Sequence, residues 1–169
     1  RGDILIDGVG VHPEGVTSTA QGALFTGSIG GTIYRSAPGE AVARPFINPT
    51  AENGLRSVFG VLADSKSGRL WACSVPNSFG PRVAGAPPPA PSEVVAFELE
   101  TGKLIGRWPF PAPGGTCNDI AIARDGSAYA SDTPGGRILK LPRGGSALEV
   151  TLSDERLKGV DGLDFGADG

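Results

Sequence analysis

The chain has 169 residues, a formal charge of −3 and 39% hydrophobic residues, enough apolar material for a buried core. Charges of both signs are scattered, which excludes the basic face of a nucleic-acid binder; no apolar run is long enough to cross a bilayer, and no polybasic cluster would hold a membrane surface. Gly at 27 and Pro at 15 recur without a three-residue period, a composition that suits many short strands joined by tight turns.

Four stretches share one signature in chain order: EGVTSTAQG (14–22), GVLADSKSG (60–68), NDIAIARDG (118–126) and DGLDFGADG (161–169). Each opens at an anchor, Glu14, Gly60, Asn118 or Asp161, and ends eight residues later in a Gly that closes a turn. The first three continue into ALFTGS, RLWACS and SAYASD, each a small apolar strand. A third strand follows in TIYR (32–35), EVVAFEL (93–99) and RILKL (137–141). A fourth follows in ARPFI (43–47), LIGRWPF (104–110) and ALEVTL (147–152).

Four antiparallel strands recurring every few tens of residues predict an all-β fold, a β-propeller of four-stranded blades. The expected boundaries are blade 1 over 3–50, blade 2 over 55–111, blade 3 over 115–153 and the start of blade 4 over 159–169, about three and a half blades in one domain. A β-sandwich would explain the strands but not the shared register of the anchors. In a radial arrangement the anchors point at one another.

Residues 74–93 carry five prolines between Pro81 and Pro91 and no strand pattern, so they read as an extended surface loop beside the anchors: a lid or a solvent-exposed insertion. Three blades and an opening do not close a ring. Either the chain belongs to a longer protein whose C-terminal blades complete it, which is the preferred reading, or two copies associate. An Arg at position 1 and the absence of Met read as processing or trimming.

The segments HPEGV (12–16) with GTIYR, GVLADSKSGRLWACS, CNDIAIARDGSAYASDTPGGRILKLP and VDGLDFGADG resemble successive blades of the gluconolactonase, senescence-marker protein and regucalcin family. The resemblance covers nearly the whole chain but only about the first half of the family's length. It implies a six-bladed propeller that hydrolyses lactones or related esters around one central divalent cation. Glu14 falls on the family's metal-binding Glu, and Gly60 on a blade that supplies no ligand. Asn118 falls on an Asn that positions substrate or water, and Asp119 on the acid that follows it. Asp161 stands where the family usually has a metal-binding Asn. The family's next ligand, an Asp that is also its general base, falls beyond Gly169. The implied metal ligands are therefore Glu14, Asn118 and Asp161, with Asp161 and Asn118 catalytic and Asn118, Asp119 and His12 facing a small-molecule lactone or ester.

Two carboxylates and an amide oxygen suit a hard cation, Ca²⁺ first and Mg²⁺, Mn²⁺ or Zn²⁺ as alternatives. Without a cation, converging carboxylates repel and one takes up a proton. Each residue also has a plainer reading. Glu14 and Asp161 are ordinary turn residues, Asn118 and Asp119 cap a turn, and His12 is an exposed loop histidine. Asp64, Asp125, Asp132 and Asp168 read as turn structure. One His without a nucleophile elbow gives no triad, and the RGD at 1–3 is too short to support adhesion.

Cys73 and Cys117 fall near the same face of neighbouring blades. A disulfide is open to them, and two buried free thiols are the preferred alternative. Trp71, Trp108, Phe59, Phe97 and Phe110 read as packing between blades. The competing functions are a non-enzymatic propeller that binds a ligand or protein, and a strictosidine-synthase-like propeller. A secreted or periplasmic location is modestly favoured by the absent Met and the small share of Lys.

Overall fold

The structure is a computed structural model that describes residues 2–76 and 90–166. Its described residues form thirteen strands and one short 3-10 turn, Glu155–Leu157. The first sheet holds β1 (Leu5–Ile6), β2 (Pro13–Ser18), β3 (Leu24–Ser28), β4 (Ile33–Ser36) and β5 (Val42–Ile47) in the order β1-β5-β4-β3-β2. The second is β6 (Ser57–Asp64), β7 (Arg69–Val75), β8 (Glu93–Glu98) and β9 (Leu104–Pro109), in chain order. The third is β10 (Cys117–Ile122), β11 (Ala128–Asp132), β12 (Arg137–Leu141) and β13 (Glu149–Ser153), also in chain order. All pairings are antiparallel except β1 with β5, which is parallel.

The four-stranded units expected from sequence are therefore present. β1 was not expected: two residues are too few to show a period. The residues 160–166 that open the fourth repeat carry no strand assignment. The fourth repeat's closing Gly169, with Asp168, lies outside the described residues, as does most of the Pro-rich segment.

The middle blade explains its own sequence. Along β7, Trp71, Cys73 and Val75 face the third blade while Leu70 and Ala72 face the first. Along β8, Val94 and Ala96 face one way and Val95 and Phe97 the other. A sheet covered on both faces has no polar side, so its strands read as continuous apolar runs rather than alternating ones. Trp71, Trp108, Phe59 and Phe110 fill the core between the second and third blades, and Phe97 the core between the first and second. The turns expected at Gly22, Gly68 and Gly126 are made with φ of 93°, 68° and 85°, the left-handed region open to Gly without a Cβ clash.

Cys73 and Cys117 form a disulfide, with Cα atoms 5.3 Å apart and both residues fully buried. The expectation of two free thiols was wrong. Sequence placed the two strands side by side but could not show that the blades bring these Cβ atoms face to face. No helix among the described residues is long and apolar enough to cross a membrane.

Candidate functional site

The inner strands β2, β6 and β10 lie side by side, with β6 between the other two. Each inner hairpin breaks its ladder at one place: between Pro13 and Val16, Val58 and Val61, and Cys117 and Ile120. The bulged pairs are Glu14–Gly15, Phe59–Gly60 and Asn118–Asp119. A bulge adds a residue and re-aims side chains, and such kinks often adjoin functional sites.

This register corrects the reading of the second repeat. Phe59, not Gly60, is the counterpart of Glu14 and Asn118; Gly60 matches Gly15 and Asp119. The error has a local cause. Beyond its bulge the β6–β7 ladder runs from Val61 to Asp64, one pair longer than in the other two hairpins, so the closing Gly68 comes one residue later. Counting back from that Gly misplaces the anchor by one.

Gly15 and Gly60 have a steric role. A Cβ on Gly15 would lie 2.6 Å from the Phe59 carbonyl oxygen, and one on Gly60 would lie 2.4 Å from that of Asn118. Neither position can carry a side chain without pushing the neighbouring inner strand away. The strands are held this close around a groove of about 560 Å³ lined by Thr17, Val61, Ala63, Asp119, Ile122 and Leu163 among others.

Asp119 lines this groove, and Glu14, which lies outside its lining, is near enough to Asp161 and Asp119 to feel their charges. Partial loss of solvent around its carboxyl raises the Glu14 pKa above its ordinary value, and the charges of Asp161 and then Asp119 raise it further. Glu14 and Asp161 are exposed, while Asn118 and Asp119 are half-buried. Among the described residues, the side-chain heads of Glu14, Asn118 and Asp161 make no hydrogen bond and no ion pair with protein. The turn aspartates behave differently. Asp64 accepts from the amides of Lys66 (3.1 Å) and Ser67 (3.3 Å), and Asp125 from that of Ser127 (2.8 Å), as expected of structural residues.

Asp119 is tied down. Its Oδ2 accepts the Leu163 amide at 2.9 Å, and its own amide donates to Ser131 Oγ at 3.0 Å. Ser131 Oγ in turn donates to the Asp161 carbonyl at 2.8 Å. The pair Asp119 and Ser131 thus staples the start of the fourth repeat to β10 and β11. Ser131 escaped the sequence reading, although the columns TGS, ACS and ASD at the ends of the three second strands put Gly27, Cys73 and Ser131 in one register.

His12 is exposed and takes φ 47°, a left-handed conformation that His tolerates better than most residues. It lies two residues before Glu14, and no hydrogen bond or ion pair joins its imidazole to the other candidates among the described residues.

Glu14 and Asp161 are carboxylates that feel each other's charge and have no protein counter-ion among the described residues; with the Asn118 amide they would make an oxygen-only donor set, a chemistry that fits a hard divalent cation. Among the described residues no three His, Cys, Asp or Glu side chains are gathered into one chelating group.

The crowding has a measurable consequence in metal-free protein. The folded state takes up a proton on Glu14 at higher pH than the unfolded chain does. Its destabilising charge is therefore absent below pH 4.5, the unfolded value, and fully present above the raised folded value. Urea midpoints measured across this window should show Glu14→Gln gaining on wild type as pH rises. A constant difference would mean that Glu14 does not feel Asp161 and Asp119.

A family profile described as strictosidine synthase-like, N-terminal, matches residues 3–36, which includes Glu14 but neither Asn118 nor Asp161. No curated protein matches the sequence. Among solved structures, an inactive variant of virginiamycin B lyase from Staphylococcus aureus with quinupristin is similar over 96% of this chain and 48% of its own, with TM-score 0.71 and 13% identity. A streptogramin B lyase is similar over 83% of this chain and 40% of its own, with TM-score 0.61 and 17% identity. Hydrazine synthase from Kuenenia stuttgartiensis is similar over 88% and 39%, with TM-score 0.63 and 14% identity. The chain spans about half or less of the length of each. At such identities the likeness is one of fold, and the fold is a β-propeller. The gluconolactonase resemblance of the sequence is matched by none of these comparisons; the family profile that matches is the strictosidine synthase-like one.

Proposed function

We propose that this chain carries the cation-holding part of a propeller that hydrolyses lactones or related esters. One observation carries the reading: three oxygen donors, Glu14, Asn118 and Asp161, open the first, third and fourth repeats with head groups that make no hydrogen bond or ion pair among the described residues, and partial loss of solvent and then the charge of Asp161 raise the Glu14 pKa. They would hold one divalent cation, Ca²⁺ before Mg²⁺, Mn²⁺ or Zn²⁺. When bound, such an ion polarises a carbonyl oxygen and makes water more acidic.

The chain's own residues supply the rest. Asn118 orients the substrate carbonyl through its free amide. An Asp161 carboxylate oxygen accepts the proton that the attacking water gives up. Asp119 lines the groove as a substrate contact and, with Ser131, holds the start of the fourth repeat, and His12 stands at the edge as a further substrate contact. Exposed apolar side chains on the first blade (Ile4, Leu5, Val16) and on β13 (Val150, Leu152) support completion of the ring by further blades or by a second copy. The buried disulfide supports an oxidising compartment, secreted or periplasmic.

A propeller of the strictosidine synthase-like kind is the second reading, favoured by the match over residues 3–36. Calorimetric titration of metal-stripped protein with each of the four cations separates them. Stoichiometric Ca²⁺ binding, weakened at least about tenfold by Glu14→Gln and by Asp161→Ala, is expected; lactones and esters would then be screened. Folded protein that binds none of the four would sink the hydrolase reading and leave a ligand- or partner-binding propeller.

A further inference from the structure

The three second strands end in equivalent residues that reach the next blade in three different ways. Ser28, Ser74 and Asp132 pair with Pro13, Val58 and Cys117, the residues just before the bulges. One residue earlier stand Gly27, Cys73 and Ser131. Gly27 lies so close to Val58 that a Cβ there would sit 2.5 Å from its Cγ1. Ser131 reaches the fourth repeat by its hydrogen bond to the Asp161 carbonyl. Cys73 reaches the third blade by its covalent bond to Cys117. The same junction is thus a bare contact in one place, a hydrogen bond in another and a disulfide in the third.

The disulfide falls where position matters most for the donor set. Cys117 is the last laddered residue before the bulge that holds Asn118 and Asp119, and Ile120 resumes the ladder beyond it. Within the bulge the Asn118 carbonyl abuts Gly60, and Asp119 is held by Leu163 and Ser131. The Asn118 side chain has no partner to hold it. Its direction is therefore set by the backbone of the bulge, and the backbone at its entry is fixed by Cys117.

We infer that the Cys73–Cys117 disulfide is a positioning strut for the cation site: it locks the entry to the β10 bulge and so fixes the backbone from which the Asn118 amide is presented to the cation. This rests on the cation reading of Glu14, Asn118 and Asp161. Loosening an outer support of a metal ligand typically lowers affinity about 10- to 100-fold, and a loss of that size is expected for Ca²⁺ in Cys73→Ala/Cys117→Ala.

The test is Ca²⁺ titration of wild type and variant by calorimetry, at a temperature where circular dichroism shows both fully folded. Cys73→Gly/Cys117→Val is the second variant. It copies the Gly27–Val58 junction of the neighbouring blades and keeps the comparison open should the alanine pair not fold. A purely structural disulfide would lower the melting temperature and leave the Kd of the folded protein unchanged, and that result overturns the strut while sparing the cation site. Wild type that binds no Ca²⁺ overturns the cation reading, and the strut with it.

Discussion

Asp132→Ala is expected to destabilise the protein by about 4 kcal/mol, because it strands a buried guanidinium. Asp132 is fully buried and Arg137 nearly so, at 8% exposure. The carboxylate accepts from Arg137 through Nε at 2.7 Å and Nη2 at 2.6 Å. It also accepts the amides of Thr116 at 3.0 Å and Gly135 at 3.3 Å. Arg137 donates onward to the Gly114 carbonyl. Gly115 and Gly135 leave room for the carboxylate, which a Cβ on either would strike. Urea denaturation should show a lower midpoint at unchanged slope. Replacing both partners with Leu should recover part of the loss: an apolar pair leaves no buried charge behind, while the Thr116 and Gly135 amides lose their acceptor. A single-variant loss below about 1 kcal/mol would show that Arg137 finds enough company in Gly114 and water.

Removing the disulfide comes next in size. Cys73 and Cys117 are 44 residues apart, and closing a loop of that length removes enough unfolded-state entropy to stabilise the fold by about 4 kcal/mol. The loop includes the Pro-rich segment, so the bond also ties the second blade to the third across the longest interruption in the strand pattern. Cys73→Ala/Cys117→Ala should lower the urea midpoint accordingly, with m raised because the unfolded chain expands. An equal midpoint in wild type and variant would mean that the blade interface alone holds the two strands together.

Much of the fold was legible before any coordinates. Polar turns ending in Gly22, Gly68 and Gly126, each followed by a small apolar strand, mark three inner hairpins because left-handed turns and pleated, buried strands need those residue types. The bulges that carry Glu14 and Asn118 were legible for the same reason: each of these residues stands eight residues before a turn-closing Gly. The second repeat failed on a count. A hairpin one ladder pair longer moves its closing Gly without changing its composition, so the equivalence of Phe59 with Glu14 shows only in the pairing. The Asp132–Arg137 pair failed differently. Asp132 was read as a turn residue, which it is, but its second role depends on how the strand after the turn returns beneath it.

By itself the sequence determined the all-β architecture, the four-stranded units and the oxygen-rich openings of three repeats, because these follow from local periodicity and turn chemistry. Tertiary structure alone decided three things: which residues share a bulge, that Cys73 meets Cys117, and that Asp119 and Ser131 hold the fourth repeat while Asn118 is left free. Each depends on how far apart two blades sit and how they are staggered. Those distances are set by packing between sheets, where a glycine at position 60 or a sulfur at position 73 acts on a neighbour tens of residues away.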